Sequence, residues 1–242
     1  MQNLLLINNL SIFSFSDSHG NHQKLQVPED AYIVICAGDA VEDNLKGGEY
    51  NDFIDWFAEL PAKWKLFVPG NHELSFELDL SETIEKAMEA KGILVLQNSV
   101  IDCDGVVIGS VSGNAFIADE DIPSDIDVLV THYPPFGILD EDLGSPEILN
   151  FVMKSKPAYH LFGHVHATEG QEFILDKTLC KNICVFNQII WPQQHANASS
   201  RYTILDDENV FFQDQQDHLV QTNEFDGLTA QKAMVAIDVL YH

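Results

Sequence analysis

The chain is short of positive charge: 12 Lys and Arg stand against 38 Asp and Glu among 242 residues, a formal net charge of −26. A surface of that sign repels polyanions and excludes long DNA or RNA as a default partner. A local cationic site still attracts a small phosphate ester, because distant charges are screened within about 10 Å. Long apolar runs are missing as well. No stretch reaches the roughly 18 residues of a membrane helix, so no membrane partner is expected. The opening MQNLLLINNLSIFSFSD lacks the basic residues and small-residue cleavage site of a secretory leader and reads as an N-terminal strand. Cysteine is scarce: Cys36, Cys103, Cys180 and Cys184 lie mostly in apolar runs, too few for a disulfide framework, which favours a reducing cytoplasm. Cys180 and Cys184 have no second pair to complete a zinc tetrahedron and are set aside. Repeats, low-complexity tracts and linkers are absent, so a single domain over residues 1–242 is expected.

What is present describes a folded protein: 45% hydrophobic and 21% charged residues are proportions that a disordered chain does not have. Apolar runs that read as strands include LSIFSF, AYIVICAG, WKLFVPG, GILVLQ, VVIGSVSG, IDVLVTH, AYHLFGH, EFILD, ICVFNQ, RYTILDD and NVFFQD. Between them lie helical patterns. GGEYNDFIDWFAELPAKW places Phe53, Trp56, Phe57 and Leu60 on one face and is closed by Pro61. SETIEKAMEAKG runs from Ser81 to Gly92, and SPEILNFVMKSKP starts on Ser145 as cap with Pro146 at the first helical position. The pairs VIDCDGVVIG and ILDDENVFF read as hairpins, and LTAQKAMVAIDVL as a terminal helix. Early strand–helix alternation followed by hairpins predicts mixed sheets.

The polar residues just past the strand ends carry the chemistry. SIFSF is followed by Asp17 and His19; YIVIC by Asp39; KLFVP by Asn71, His72 and Glu73; DVLV by His132; and YHLF by His164 and His166. Ligand sites of open α/β sheets collect at this end of the strands, so five segments can deliver side chains to one place. Seven of these residues, two aspartates, four histidines and one asparagine, are oxygen or imidazole donors without a thiolate. That set suits zinc, manganese or iron better than magnesium or calcium. It exceeds the needs of one ion and fits two if a carboxylate bridges them, an arrangement that serves in-line displacement at phosphorus.

The ordered series DSH, GD, GNHE, THYPP, GHVH resembles the signature blocks of the calcineurin-like metallophosphoesterase superfamily. The stretch GGEYNDFIDWFAELPAKWKLFVPGNHE is similar to its small metallophosphoesterase-domain-containing (UPF0046-type) group. The resemblance implies a four-layer α/β/β/α sandwich with two divalent ions. One would be held by Asp17, His19, Asp39 and His166, the other by Asp39, Asn71, His132 and His164. It implies His72 as the general acid beside Asn71, its tautomer fixed by a carboxylate of the GDAVED loop, Glu42 or Asp43. The expected activity is hydrolysis of small-molecule or cyclic-nucleotide phosphodiesters by a hydroxide bridging the ions. The alternatives are a protein serine/threonine phosphatase and a nucleotide- or metal-binding protein with little turnover. Asn71, His72 and His22, the last in HGNH, are the residues placed to face a substrate; for His22 an ordinary loop role stands beside that one. For Glu73 a direct and a supporting role are equally open, and His160, inside AYHLF, reads as a hydrogen-bonded core residue.

Overall fold

The computed structural model describes residues 3–46, 48–112 and 124–190, together with the backbone of two further strands. Residues Met1–Gln193 form one compact unit and Gln194–His242 a second. In the first unit the chain builds two sheets. One holds β1 (Leu4–Ile7), β2 (Leu10–Phe15), β3 (Ile33–Cys36), β4 (Trp64–Phe67) and β5 (Ile93–Val95) in that order, with β1 antiparallel to β2 and the rest parallel. The other runs β10 (Glu172–Leu175), β11 (Thr178–Asn182), β9 (Tyr159–Phe162), β8 (Val128–Thr131), β7 (Val107–Val111), β6 (Val100–Asp102). Its four inner strands are parallel and its two edge strands antiparallel.

Alternation along each strand sorts the side chains into layers. Ile12, Ile33, Ile35 and Leu66 of the first sheet meet Ile108, Val128, Val130 and Leu161 of the second in a core between the sheets. The intervening Phe13, Phe15, Val34, Cys36 and Phe67 face the opposite way. They pack on Phe53 and Phe57 of α1 (Tyr50–Glu59) and, past the short α2 (Leu74–Glu77), on Ile84 and Met88 of α3 (Glu82–Ala90). On the far side of the second sheet, Leu129 and Val111 pack on Ile148, Phe151 and Val152 of α4 (Pro146–Ser155). The architecture is therefore the expected four-layer α/β/β/α sandwich. Helix starts follow the sequence signals: Ser145 Oγ accepts from the Ile148 N–H and Pro146 occupies the first turn of α4, while α3 follows Ser81.

Two strand readings are corrected. The opening stretch is not one strand but a hairpin: β1 and β2 pair antiparallel across Asn8 and Asn9, whose φ values of 50° and 64° make the tight turn. ICVFNQ is not a strand: the strand is the preceding Thr178–Asn182, which pairs in parallel with β9, and Phe186–Ile190 form the short helix α5. The chain leaves β11 at Asn182 and crosses to the first sheet, where Cys184 bridges to Ser16 and the Val185 N–H donates to the Ser16 carbonyl at 3.0 Å. An apolar run serves a crossing as well as a strand, since both are buried. In the second unit, β12 (Asn209–Gln213) pairs antiparallel with β13 (Leu219–Asn223), Asn209 opposite Asn223. NVFFQ is thus a strand, whereas RYTILDD and the LTAQKAMVAIDVL helix lie outside the described residues.

Candidate metal centre

Every residue singled out past the strand ends sits on a loop leaving the carboxyl end of a parallel strand: Asp17 and His19 after β2, Asp39 after β3, Asn71 and His72 after β4, His132 after β8, His164 and His166 after β9. Backbone bonds lace these loops together. The Asp17 N–H donates to the Gly38 carbonyl and the His19 N–H to the Asp39 carbonyl within the first sheet, and the Gly163 N–H donates to the His132 carbonyl in the second. Across the sheets the His164 N–H donates to Asp17 Oδ2 at 3.0 Å. Asp17, His19, Asp39 and His164 all have positive φ, between 43° and 68°. Non-glycine residues held there cost about 1–3 kcal/mol each, and persist where the surroundings over-determine them. Two close approaches demand glycine. A Cβ on Gly38, whose φ is +90°, would lie 2.5 Å from the Gly70 nitrogen, and one on Gly163 would collide with Ser16 Oγ and Asp17 Oδ2.

The side chains converge on two oxygens. Around Asp39 Oδ2 stand three imidazole nitrogens: His132 Nε2 at 3.3 Å, His72 Nε2 at 3.9 Å and His19 Nε2 at 4.0 Å. Around Asp17 Oδ1 stand His166 Nε2 at 3.3 Å and His19 Nε2 at 4.0 Å. Asn71 Oδ1 lies 2.9 Å from His132 Nε2. His164 belongs to the Asp39–His132 group, its ring 5.2 Å from that of His132. Asp17 and His132 are fully buried and Asp39 nearly so. Yet Asp17 Oδ1 and His19 Nε2 have no hydrogen-bond partner, which is costly for buried polar atoms. A cation between these acceptors satisfies both, so the residues present fit a metal.

Electrostatics agree. Burial opposes charging of His132, but the Asp39 and Asp17 carboxylates and the Ala37 carbonyl outweigh it and lift its pKa to about 10. Its Nδ1–H donates to that carbonyl at 2.8 Å, so Nε2 faces the carboxylates. For Asp17 and Asp39 burial works against ionisation, while the neighbouring histidines hold both carboxyls below the usual range. His164, desolvated and beside His132, is pushed down to about 4 and is a neutral donor.

Several roles emerge only in three dimensions. Glu42 grips two histidines at once, Oε1 2.6 Å from His19 Nδ1 and Oε2 2.7 Å from His72 Nδ1. It therefore fixes both tautomers and turns both Nε2 atoms toward Asp39. Of the two carboxylates considered for His72 it is the partner. Asp43 instead accepts from Tyr50 Oη and from the Ser75 and Leu45 N–H groups. Glu73, fully buried, accepts from the N–H groups of Gly70, Asp39 and Ala40 at 2.7–2.9 Å, so it ties the Asp39 and Asn71 loops together. His22 is 2% exposed, with Nε2 3.1 Å from Asp52 Oδ2 and its ring against Phe53 and Trp56. Those contacts anchor its loop to α1. Phe186 stacks on His166 at 4.2 Å, and Tyr133 packs on His164 at 4.5 Å. Cys184, buried by the crossing after β11, joins Asp17 and His166 in a group whose donor atoms all lie within 4.8 Å of one another. Its nearness to Asp17 depends on the sheet-to-sheet crossing and has no signature in spacing.

The calcineurin-like phosphoesterase family profile matches residues 10–168. The chain belongs to that family. Similar proteins include two UPF0046 proteins of Caenorhabditis elegans, one 33% identical over 66% of this chain and 65% of its own length, the other 31% identical over 72% and 76%. The human metallophosphoesterase domain-containing protein 1 is 28% identical over 71% of this chain and 65% of its own length. The chain thus spans about two thirds of the length of the first of these relatives. Among solved structures, a phosphopantetheinyl hydrolase of Mycobacterium tuberculosis superposes with a TM-score of 0.52 at 15% identity, covering 77% of this chain and 93% of its own. The protein TT1561 of Thermus thermophilus gives 0.53 at 15%, covering 88% and 97%. These show the same fold. Among the described residues no helix is long and apolar enough to cross a membrane.

Proposed function

We propose that this calcineurin-like phosphoesterase is a dinuclear, divalent-metal-dependent phosphodiesterase acting on small phosphate esters, cyclic-nucleotide and aryl diesters among them. The observation that carries the reading is the convergence of three imidazole Nε2 atoms on Asp39 Oδ2, next to the unpartnered Asp17 Oδ1. Asp17, His19, Asp39 and His166 would hold one ion, and Asp39, Asn71, His132 and His164 the other, with manganese, iron or zinc suited to the donors. When bound, the two cations supply a nucleophile at neutral pH and neutralise charge on the phosphate during in-line displacement.

The chain's own groups do the rest. Two divalent cations outweigh the two aspartates, so the site draws a phosphate into an otherwise acidic protein. His72 is 40% exposed at the rim while its Nδ1 is fixed by Glu42. Burial opposes protonation of His72, but the bond its Nδ1–H donates to Glu42 and the charge of Asp39 prevail and raise its pKa. Its Nε2–H therefore holds a proton ready for the departing oxygen. The net charge of −26 speaks against a nuclease.

The test is hydrolysis of a nitrophenyl phosphodiester with added manganese, comparing wild type with His72→Ala at equal metal content. Wild-type turnover that falls about a hundredfold in the variant is expected. Nucleotide binding without turnover under any metal would favour the binding-protein alternative, and turnover confined to phosphoprotein substrates would favour the phosphatase.

A further inference from the structure

Cys184 plays no part in the donor set drawn from the strand ends, yet the fold delivers it there. After β11 the chain crosses between the sheets, the Cys184 N–H donates to Asn182 Oδ1 at 2.9 Å, and Cys184 bridges in parallel to Ser16. That pins the residue beside the exit of β2, where Asp17 follows. The thiol is 1% exposed, and a donor atom each of Asp17, His166 and Cys184 lies within 4.8 Å of the other two. A second observation points to a ligand at the same spot: Asp17 is fully buried and its Oδ1 has no hydrogen-bond partner. Donors on one ion at bond lengths of about 2.0–2.3 Å lie no more than about 4.6 Å apart, so small side-chain adjustments bring all three onto a common cation.

We propose that Cys184 is a sulfur ligand at the Asp17–His166 ion position, giving that position a preference for thiophilic divalent cations such as zinc, cobalt or cadmium over manganese. This rests on the metal-dependent reading above and makes the two ion positions chemically unequal: one all nitrogen and oxygen, the other with a soft donor. As the sulfur–metal bond forms, the thiol proton leaves to solvent and the thiolate gives its electron pair to the cation. With the site empty, burial and the Asp17 charge keep Cys184 protonated; a bound cation reverses the local charge and deprotonates a coordinating thiol outright.

The experiment is cobalt(II) titration of the chelator-stripped full chain, following both bound cobalt and thiolate-to-cobalt charge-transfer absorption, for wild type, Cys184→Ser, Cys184→Ala and the control Cys180→Ser. The expected result is the charge-transfer band in wild type and in the control. In both Cys184 variants the band is lost while cobalt still binds, and the preference for cadmium over manganese falls about tenfold. Cadmium-113 resonance on the wild type alone, with its thiolate-induced downfield shift, gives the same answer should the variants fail to fold. Cobalt bound without the band, or a band that survives in Cys184→Ala, would overturn the sulfur ligand and leave the proposed function standing. No divalent ion bound at all would overturn both.

Discussion

Two histidines in the second sheet show how differently one degree of burial can be used. His132 and His160 are both fully buried, and Thr131, whose Oγ1 lies 2.8 Å from His160 Nε2, is the neighbour of His132 in sequence. His160 stays inside the sheet, faces no carboxylate and is pushed down to about 3 by desolvation alone. His132 lies past the strand end, where two aspartates overcome the same penalty and lift it to about 10. Burial sets the size of the stake; the charges in reach decide its direction. Between the strand interior and its carboxyl end the molecule passes from structure to chemistry within one residue of Thr131.

The comparison breaks most completely at Asp39. On the proposed two-ion reading, Asp39→Asn should abolish binding at both ion positions and lower phosphodiester hydrolysis about a thousandfold, several kcal/mol of charge stabilisation at about 1.36 kcal/mol per decade. Metal content and kcat/KM are the readouts, and histidine NMR of the stripped variant should find His132 titrating far below its wild-type range, toward His160. A variant that keeps both ions would remove Asp39 from the centre of the site.

A smaller effect sharpens the other half. The folded-state pKa of His160 is lowered from 6.5 to about 3, so its contribution to stability is present above pH 6.5 and is lost as pH falls toward 3. Glu73, raised from 4.5 to about 7 by burial and by Asp39, has the opposite slope in an overlapping window. The His160 part must therefore be read as a difference. The stability gap between wild type and His160→Gln should narrow by about 2 kcal/mol between pH 7 and pH 5 in urea unfolding. A gap independent of pH would mean His160 is not held neutral. Smallest of the three, Glu42→Gln should cost about tenfold in kcat/KM with both ions retained, because it loosens His19 and His72 without removing a ligand. Loss of metal instead would show that Glu42 does more than orient.

Much of this was legible in the sequence because strand and site meet at a visible boundary. Each apolar run ends where a polar residue begins, which marks Asp17, Asp39, Asn71, His132 and His164 without knowledge of the fold. The same runs read as mixed sheets, whereas the four layers came with the family resemblance. What was not legible depends on closure between distant segments. Glu42 was one of two carboxylates expected beside His72, but its second grip, on His19, exists only once the β2 and β4 loops face each other. Glu73 is two residues from Asn71, yet its work is to receive backbone N–H groups that the sequence does not advertise. Cys184 looked like half of a missing zinc pair because Cys180 is close in sequence, whereas its structural neighbour is Asp17. ICVFNQ looked like a strand because a buried crossing and a buried strand draw on the same residues.

The bond from the His164 N–H to Asp17 Oδ2 spans 147 residues of chain. A growing polypeptide cannot close it until almost the whole of the first compact unit has been made. A chain cut before residue 164 would keep β1 to β9 yet lose that bond together with His164 and His166, leaving Asp17 Oδ1 without its nearest imidazole.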